Sequence, residues 1–453
     1  MSSAPVAAPD DLLDQLRQAI QAGDSDAARL LSRRLLDDDA AELFEDLNRT
    51  QLGELATILG DATLAELLSQ ITNQAAADIL EQFPVDQAAD LLEEIDPDDA
   101  ADIIVQVDRD FSEEILVAME PADAAEIREL MAYRPDTAGG IMTPEFVAMA
   151  PTLRADRAIA ALRRVAEEAE TINYVYITNV DETLAGVLSL HRLVLSRPET
   201  QVADLMNPNP LRVHVNDDQE QVARLLTDRH LLAIPVVDDT NRLVGIVTAD
   251  DIADVIEDET TADIELLGGS APLNEPYLSA SPALLFRKRI VWLLVLFFAQ
   301  FVTLAVYDHY EGVLQGQIIL AMFVPILIGT GGNVGSQTVT TIIRAMAVGE
   351  ASPRHAIRIL WKEFVTAFGL AIVMASLMFA RGAFTDGFQF GLTVGVTVGV
   401  LIIWAAMIGA MLPLVLSKLK VDPAVVSAPF ISSLVDATGL IIYFTVAGYI
   451  LSV

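Results

Sequence analysis

The chain has 453 residues, is 53% hydrophobic, and still carries a formal net charge of -36 at pH 7. That length exceeds one ordinary soluble domain, and no uniform globule combines such charge with such apolarity. Counted by region, residues 1–280 hold 18 basic and 57 acidic side chains, whereas 281–453 hold 10 basic and 7 acidic. An acidic soluble part is therefore joined to a nearly neutral, apolar one. Cysteine is absent, which excludes disulfides, thiolate metal sites and cysteine nucleophiles. The acidic surface would repel nucleic-acid phosphates, so no nucleic-acid partner is expected and cations are the natural counter-ligands.

The first residues, MSSAPVAAPDDLLDQL, show neither a basic n-region nor an apolar h-region. They are not expected to act as a signal peptide, and the acidic part is expected in the cytosol. The run Asp37–Asp39 is expected to be solvated. From Leu12 to about Met131 the chain is expected to be helical, and it repeats a pattern in FPVDQAADLLEEI, DPDDAADIIVQV and EPADAAEIRELM. Each copy has proline at a helix start (Pro84, Pro97, Pro121), then acidic residues, an alanine pair and an apolar pair. Proline suits the first helical turn and acids there complement the helix dipole. Stacked short helices forming a superhelical, all-α N-domain over 1–134 are predicted.

Residues 135–256 contain a duplication. Met142-x-Pro144 precedes a strand, a helix, two strands around a polar turn and a short helix, and Met206-x-Pro208 begins the same order again. An α/β pair of similar modules is predicted. In the second copy Gly245, Thr248 and Asp251 complete a G-h-x-[ST]-x-x-D pattern; the first copy has Gly186 and Ser189 but Arg192 in the acidic position. Residues 257–283, beginning EDETTADIE, are expected to form a long connecting helix.

Residues 284–453 form an all-α membrane part. A crossing needs ~20 apolar residues, and five stretches qualify: about 290–307, 318–346 with a glycine-rich break, 364–380, 390–416 and 425–451. Arg287, Lys288, Arg289, Arg344, Arg354, Arg358, Lys362, Lys418 and Lys420 fall on one side of five crossings, against Arg381 alone on the other. By the positive-inside rule the N-terminal part is cytosolic and the C-terminus outside. An Asp at a helix centre costs ~2.5–3.5 kcal/mol on translocon scales and marks function by default, which singles out Asp436. The second stretch, VPILIGTGGNVGSQ, places Gly331, Gly332, Asn333 and Gln337 in a small polar patch. It is no dinucleotide loop, because its third glycine is misplaced and no soluble strand precedes it. Small residues here allow close helix packing and also a polar path.

One carboxylate with amides and hydroxyls, and no His or Met cluster beside it, suits a hydrated hard cation such as Mg2+. It suits Cu+ or Zn2+ poorly. A symmetric dimer would bring two such aspartates together on its axis. No nucleophile–base pair, P-loop or zinc motif is present, so an enzyme is not expected. The alternatives are a broader path for Co2+, Ni2+ or Mn2+, and a membrane-anchored ion or nucleotide sensor that conducts nothing.

The order of acidic helical domain, duplicated α/β module, linking helix and five spans, with VPILIGTGGNVGSQ and DPAVVSAPFISSLVDATG, resembles the MgtE family of Mg2+ transporters. The duplicated module resembles a tandem pair of CBS domains. The resemblance implies a homodimeric Mg2+-selective channel in the cytoplasmic (inner) membrane, in contact with lipid. Its pore would include Asp436, Asn333, Gly331, Gly332, Gln337 and Ala424. It implies a plug helix from about residue 254 to 280, closed by Mg2+. Asp218, Glu220, Asp251, Asp254, Glu259, Asp263 and Asp422 are the sensing carboxylates it implies, and ATP is an implied modulator near Tyr174, Thr248 and Asp251.

Overall fold

A computed structural model describes residues 15–16, 18–19, 24–32, 49–165, 171–273, 277 and 280–451. The acidic run Asp37–Asp39 lies outside them. Two compact units emerge, 1–258 and 259–453.

The first unit opens with short helices: α1 (Ser25–Ser32), α2 (Arg49–Leu59), α3 (Asp61–Ser69), α4 (Asn73–Leu80), α5 (Val85–Glu93), α6 (Pro97–Gln106), α7 (Arg109–Ala118) and α8 (Pro121–Leu130). Pro97 and Pro121 begin their helices, while Pro84 sits one position earlier, as the N-cap of α5. The alanine and apolar pairs form one buried face: Ala88, Ala89, Leu91 and Leu92 in α5, and Ala100, Ala101, Ile103 and Ile104 in α6. Successive repeats are stitched by carboxylates. Glu81 accepts the Asp108 N–H at 2.8 Å and Glu93 accepts the Glu120 N–H at 2.5 Å. Each places a negative charge at the start of a helix further along, where the dipole favours it.

Next come β1 (Ala148–Met149), α9 (Ala155–Val165), β2 (Tyr174–Thr178), β3 (Leu184–Ser189), α10 (Leu190–Val194) and α11 (Val202–Leu205). The second copy supplies β4 (Val213–His214), α12 (Gln219–Arg229), β5 (Ala233–Val237), β6 (Leu243–Thr248) and α13 (Ala249–Gly268). Both sheets have one topology, a parallel pair followed by an antiparallel pair, with a register shift after Ile177 and after Val236. The motifs that revealed the duplication meet crosswise. A Cβ on Gly245 would stand 2.7 Å from the Met142 sulfur, and one on Gly186 2.7 Å from the Met206 sulfur. Each copy's methionine thus lies over the other copy's glycine, which explains the pairing of those residue types.

α13 ends at Gly268, twelve residues short of the expected plug-helix end. Gly269, at φ +79, donates to the Leu266 carbonyl, and the Ser270 N–H donates to that of Glu265. This is a Schellman stop, followed by Pro272, which cannot continue a helix.

The second unit contains α14 (Pro282–His309), α15 (Glu311–Gly316), α16 (Ile319–Ala347), α17 (Ala356–Lys418) and α18 (Ala428–Leu451). Among the described residues, four helical stretches are long and apolar enough to cross a membrane. α17, with 63 residues, would extend about 95 Å, three times a hydrocarbon core. It is two antiparallel helices: Asp386 and Gly387 leave helical geometry, Gly387 at φ 85 and ψ -178. Beyond them Gly391 returns against Phe379 and Ala383, and Gly395 against Ala375. Only glycine adopts that φ and ψ comfortably, so the four stretches hold five crossings.

The glycine-rich segment of α16 is not a break. The helix runs through it, and its glycines are contact points in antiparallel register with α18. A Cβ on Gly331 would lie 2.8 Å from Val435, and one on Gly335 2.6 Å from Ile431. A membrane helix tolerates interior glycine when the missing side chains let a neighbour close in. Gly335→Val should therefore lower thermal stability in detergent by about 1–3 kcal/mol, as overpacking does; an unchanged melting curve would disprove the contact.

Candidate ion pathway and cation sensor

Asp436 lies half-buried on α18, in the middle of an otherwise apolar helix. Its hydrogen-bond partner is Gln300 of α14, whose amide also donates to Ser433 at 3.4 Å. The neighbours on its own helix are engaged elsewhere: Ser432 with Ser336 of α16 at 3.5 Å, and Thr438 with the Leu434 carbonyl and the Trp404 indole. No ion pair reaches Asp436 among the described residues.

Asn333 and Gln337, four residues apart, share one exposed edge of α16, which continues to Thr341. Such a polar stripe on a membrane helix belongs against water or another protein surface, not lipid. Gly331 and Gly332 point the other way, into α18. Ala424 is buried in the turn before α18, and Asp422 accepts its N–H at 2.8 Å. Asp422 thus holds this turn while remaining exposed.

In the first unit the sensing candidates divide. Asp218 caps α12 through the Gln221 N–H, and Glu220 pairs with Arg224. Both charges have local duties. Asp251 accepts from the Thr248 hydroxyl at 2.6 Å and its N–H at 3.1 Å. Desolvation still raises its pKa, with Asp250 and Asp96 adding to the effect. Facing it are carboxylates that the sequence did not single out. Partial desolvation, then Asp96, Asp251, Asp102 and Asp254, push Asp99 up to about 7, although the residue remains open to solvent. Desolvation raises Asp102 to about 6 against a hydrogen bond from Asn73, and raises Asp96, with Asp250 adding to it. The available signal was the first-turn density of acids in DPDDAAD, read only as helix capping. Among the described residues no three His, Asp or Glu side chains stand in ready ligating geometry. The cluster is a repelling surface that a cation would relieve.

Glu259 and Asp263 lie in the part of α13 assigned to the second unit. Tyr174 borders an open cleft of about 470 Å³ together with Asn173, Ser189, Leu190, His191 and Leu232. Thr248 is not among its lining residues, and Ser189 caps α10 through the Arg192 N–H.

Comparison with known proteins agrees with this geometry. A family described as divalent cation transporter (MgtE) matches residues 324–446, the MgtE intracellular N domain matches 36–136, and a CBS domain matches 202–258. The chain is 41% identical over 334 residues to magnesium transporter MgtE of Thermus thermophilus, covering 74% of each. It is 36% identical to the Enterococcus faecalis protein of that name, covering 72% of this chain and 71% of the relative. A crystal structure of the soluble part of a magnesium transporter aligns with TM-score 0.52 and 34% identity, over 56% of this chain and 99% of that one. The cytosolic domain of the Mg2+ channel MgtE in complex with ATP aligns with TM-score 0.50 and 37% identity, over 54% of this chain and 99% of that one.

Proposed function

The chain belongs to the MgtE family of divalent cation transporters, and from that membership we propose that it carries Mg2+ across the cytoplasmic membrane through a dimeric, channel-like pore containing Asp436. The observation that carries this reading is the carboxylate of Asp436, which among the described residues has no ion-pair partner and is held at membrane depth by a neutral amide. A structural aspartate there would be matched by a cation or replaced. One that takes a transient positive ligand must stay unpaired between passages. Mg2+ sheds water reluctantly and is usually held by one or two carboxylates through retained waters, and two protomers would supply two. Asn333 and Gln337 would line the approach, with Gly331 and Gly332 letting α18 close on α16. Ala424 would sit in the turn at the cytosolic mouth.

The gate follows from charge. Without cations the carboxylates of α6 and α13 repel across the first unit. Mg2+ bound among Asp99, Asp251 and Asp254 favours the compact arrangement, and α13 carries that change toward the membrane part as the plug. A ligand shifts such an equilibrium only by its differential affinity for the two states, which this repulsion supplies. Asp218, Glu220, Glu259, Asp263 and Asp422 would add weaker contacts. ATP would act as modulator in the cleft beside Tyr174, in line with the relative crystallised with ATP. The nine-to-one distribution of basic residues supports cytosolic N-terminal domains and an outside C-terminus.

The test is Mg2+ uptake into liposomes containing the purified full chain, with low or high Mg2+ on the cytosolic face. Uptake that stops at high Mg2+ supports pore and gate together. Preference for Co2+, Ni2+ or Mn2+ in competition would replace the substrate, and a protein that moves no cation would be a sensor.

A further inference from the structure

α14 is apolar along most of its length, and its fully buried residues are Thr303 and Val306. The face that holds them also carries Gln300 and Tyr307. These residues at i, i+3 and i+7 line one side of a helix, and three polar side chains in register on a membrane helix are costly unless they meet something polar. Gln300 bonds Asp436 and Ser433. Tyr307 lies close enough to Asp436 to feel the carboxylate's charge.

Thr303 supplies the second observation. Threonines in these membrane helices satisfy their hydroxyls by donating back to the carbonyl four residues earlier, as Thr330, Thr341, Thr366, Thr393 and Thr397 do. Thr303 does not. It is 8% exposed, and its hydroxyl has no hydrogen-bond partner among the described residues. A buried hydroxyl left unpaired one turn along the face from Gln300, the partner of Asp436, points to a ligand, because its desolvation is otherwise uncompensated.

We propose that the first span completes the cation site: Gln300 is a positioning residue that holds the Asp436 carboxylate, while Thr303 and Tyr307 offer hydroxyls to the water shell of the passing divalent cation. This rests on the transport reading and adds to it a named second wall. A hydrated Mg2+ is bound mainly through its waters, and those waters need fixed oxygen acceptors around them. The amide fixes one carboxylate rotamer in advance, so less order is lost when the ion arrives.

Three shape-conserving variants test this in the reconstituted full chain: Gln300→Met, Thr303→Val and Tyr307→Phe. The readouts are the half-saturating Mg2+ concentration, maximal uptake per folded protein and the thermal midpoint in detergent. Gln300→Met should raise half-saturation about tenfold, the loss typical of a hydrogen bond to a charged group. The two hydroxyl deletions should raise it about two- to fivefold each, as neutral hydrogen bonds do. Unchanged half-saturation in all three, with only the thermal midpoint moving, would make this face mere packing and overturn the proposal. That result leaves transport by the wild type standing, whereas a wild type that moves no Mg2+ overturns the transport reading itself.

Discussion

Asp436→Ala and Asp436→Asn should each cut Mg2+ uptake by about 100-fold or more while leaving the protein folded. Taking away one partner of a buried charge pair costs about 3–5 kcal/mol, and each 1.4 kcal/mol is about tenfold in an equilibrium. Mg2+ at the constriction would face that loss in full, since among the described residues the carboxylate's partner is the neutral Gln300 amide. Stability should move the other way. An aspartate within a membrane helix costs about 2.5–3.5 kcal/mol, and the asparagine keeps the size and a hydrogen bond to Gln300 without the charge. Both variants should therefore melt at or above the wild-type temperature in detergent while conducting almost nothing. A fluorescent Mg2+ indicator inside liposomes reads the flux. Asp436→Asn retaining half of wild-type uptake would show that the ion passes elsewhere.

Periodic features were legible in the sequence, and features made by distant contacts were not. The alanine and apolar pairs of α5 and α6, the repeated Met-x-Pro starts of the duplication and the five crossings each follow a local rule, so reading them needs no long-range information, whereas the crossed Met–Gly contacts of the duplication emerge only in the fold. The reversal inside α17 was legible because Arg381 and Asp386 separate two apolar stretches, about 364–380 and 390–416, each long enough for one crossing. The end of α13 was also legible, in the Gly268–Gly269 pair and Pro272, but the family resemblance suggested a longer helix and outweighed the stop signal. The glycines of α16 read equally as hinge or as contact, and only the positions of Ile431 and Val435 decide between them. Neither the Gln300–Asp436 bond nor the approach of Asp99 to Asp251 could be read locally, because each joins segments more than a hundred residues apart. An amide among phenylalanines and leucines in the first span was the visible hint, and it named no partner.

On the proposed gate, the carboxylates gathered by that fold should make the cytosolic part respond to protons as well as to metal. In the compact arrangement Asp99 is held up to about 7, far above its ordinary 3.8, by desolvation and by Asp96, Asp251, Asp102 and Asp254. A group whose pKa rises on compaction binds protons more tightly in the compact state. That state is therefore opposed in full above pH 7 and relieved as pH falls from about 7 toward 4. Below that, both arrangements hold the proton and pH has no further effect through this group. Asp102, raised to about 6, acts in the same direction over the lower part of the window. With Mg2+ absent from the cytosolic face, lowering the pH from 8 to 6 should make the linkers around α6 and α13 about tenfold slower to cut by protease, with a parallel fall in uptake of Mg2+ supplied on the opposite face. Asp99→Asn removes the repulsion and one metal contact together. It should be protected at pH 8 without Mg2+, with a response to pH and to Mg2+ much weaker than that of the wild type. Equal cleavage of the wild-type chain at pH 6 and pH 8 would mean that these carboxylates do not oppose compaction. The sensing role would then have to move to Glu259, Asp263 and Asp422, whose variants would shift Mg2+ closure without any proton dependence of this kind.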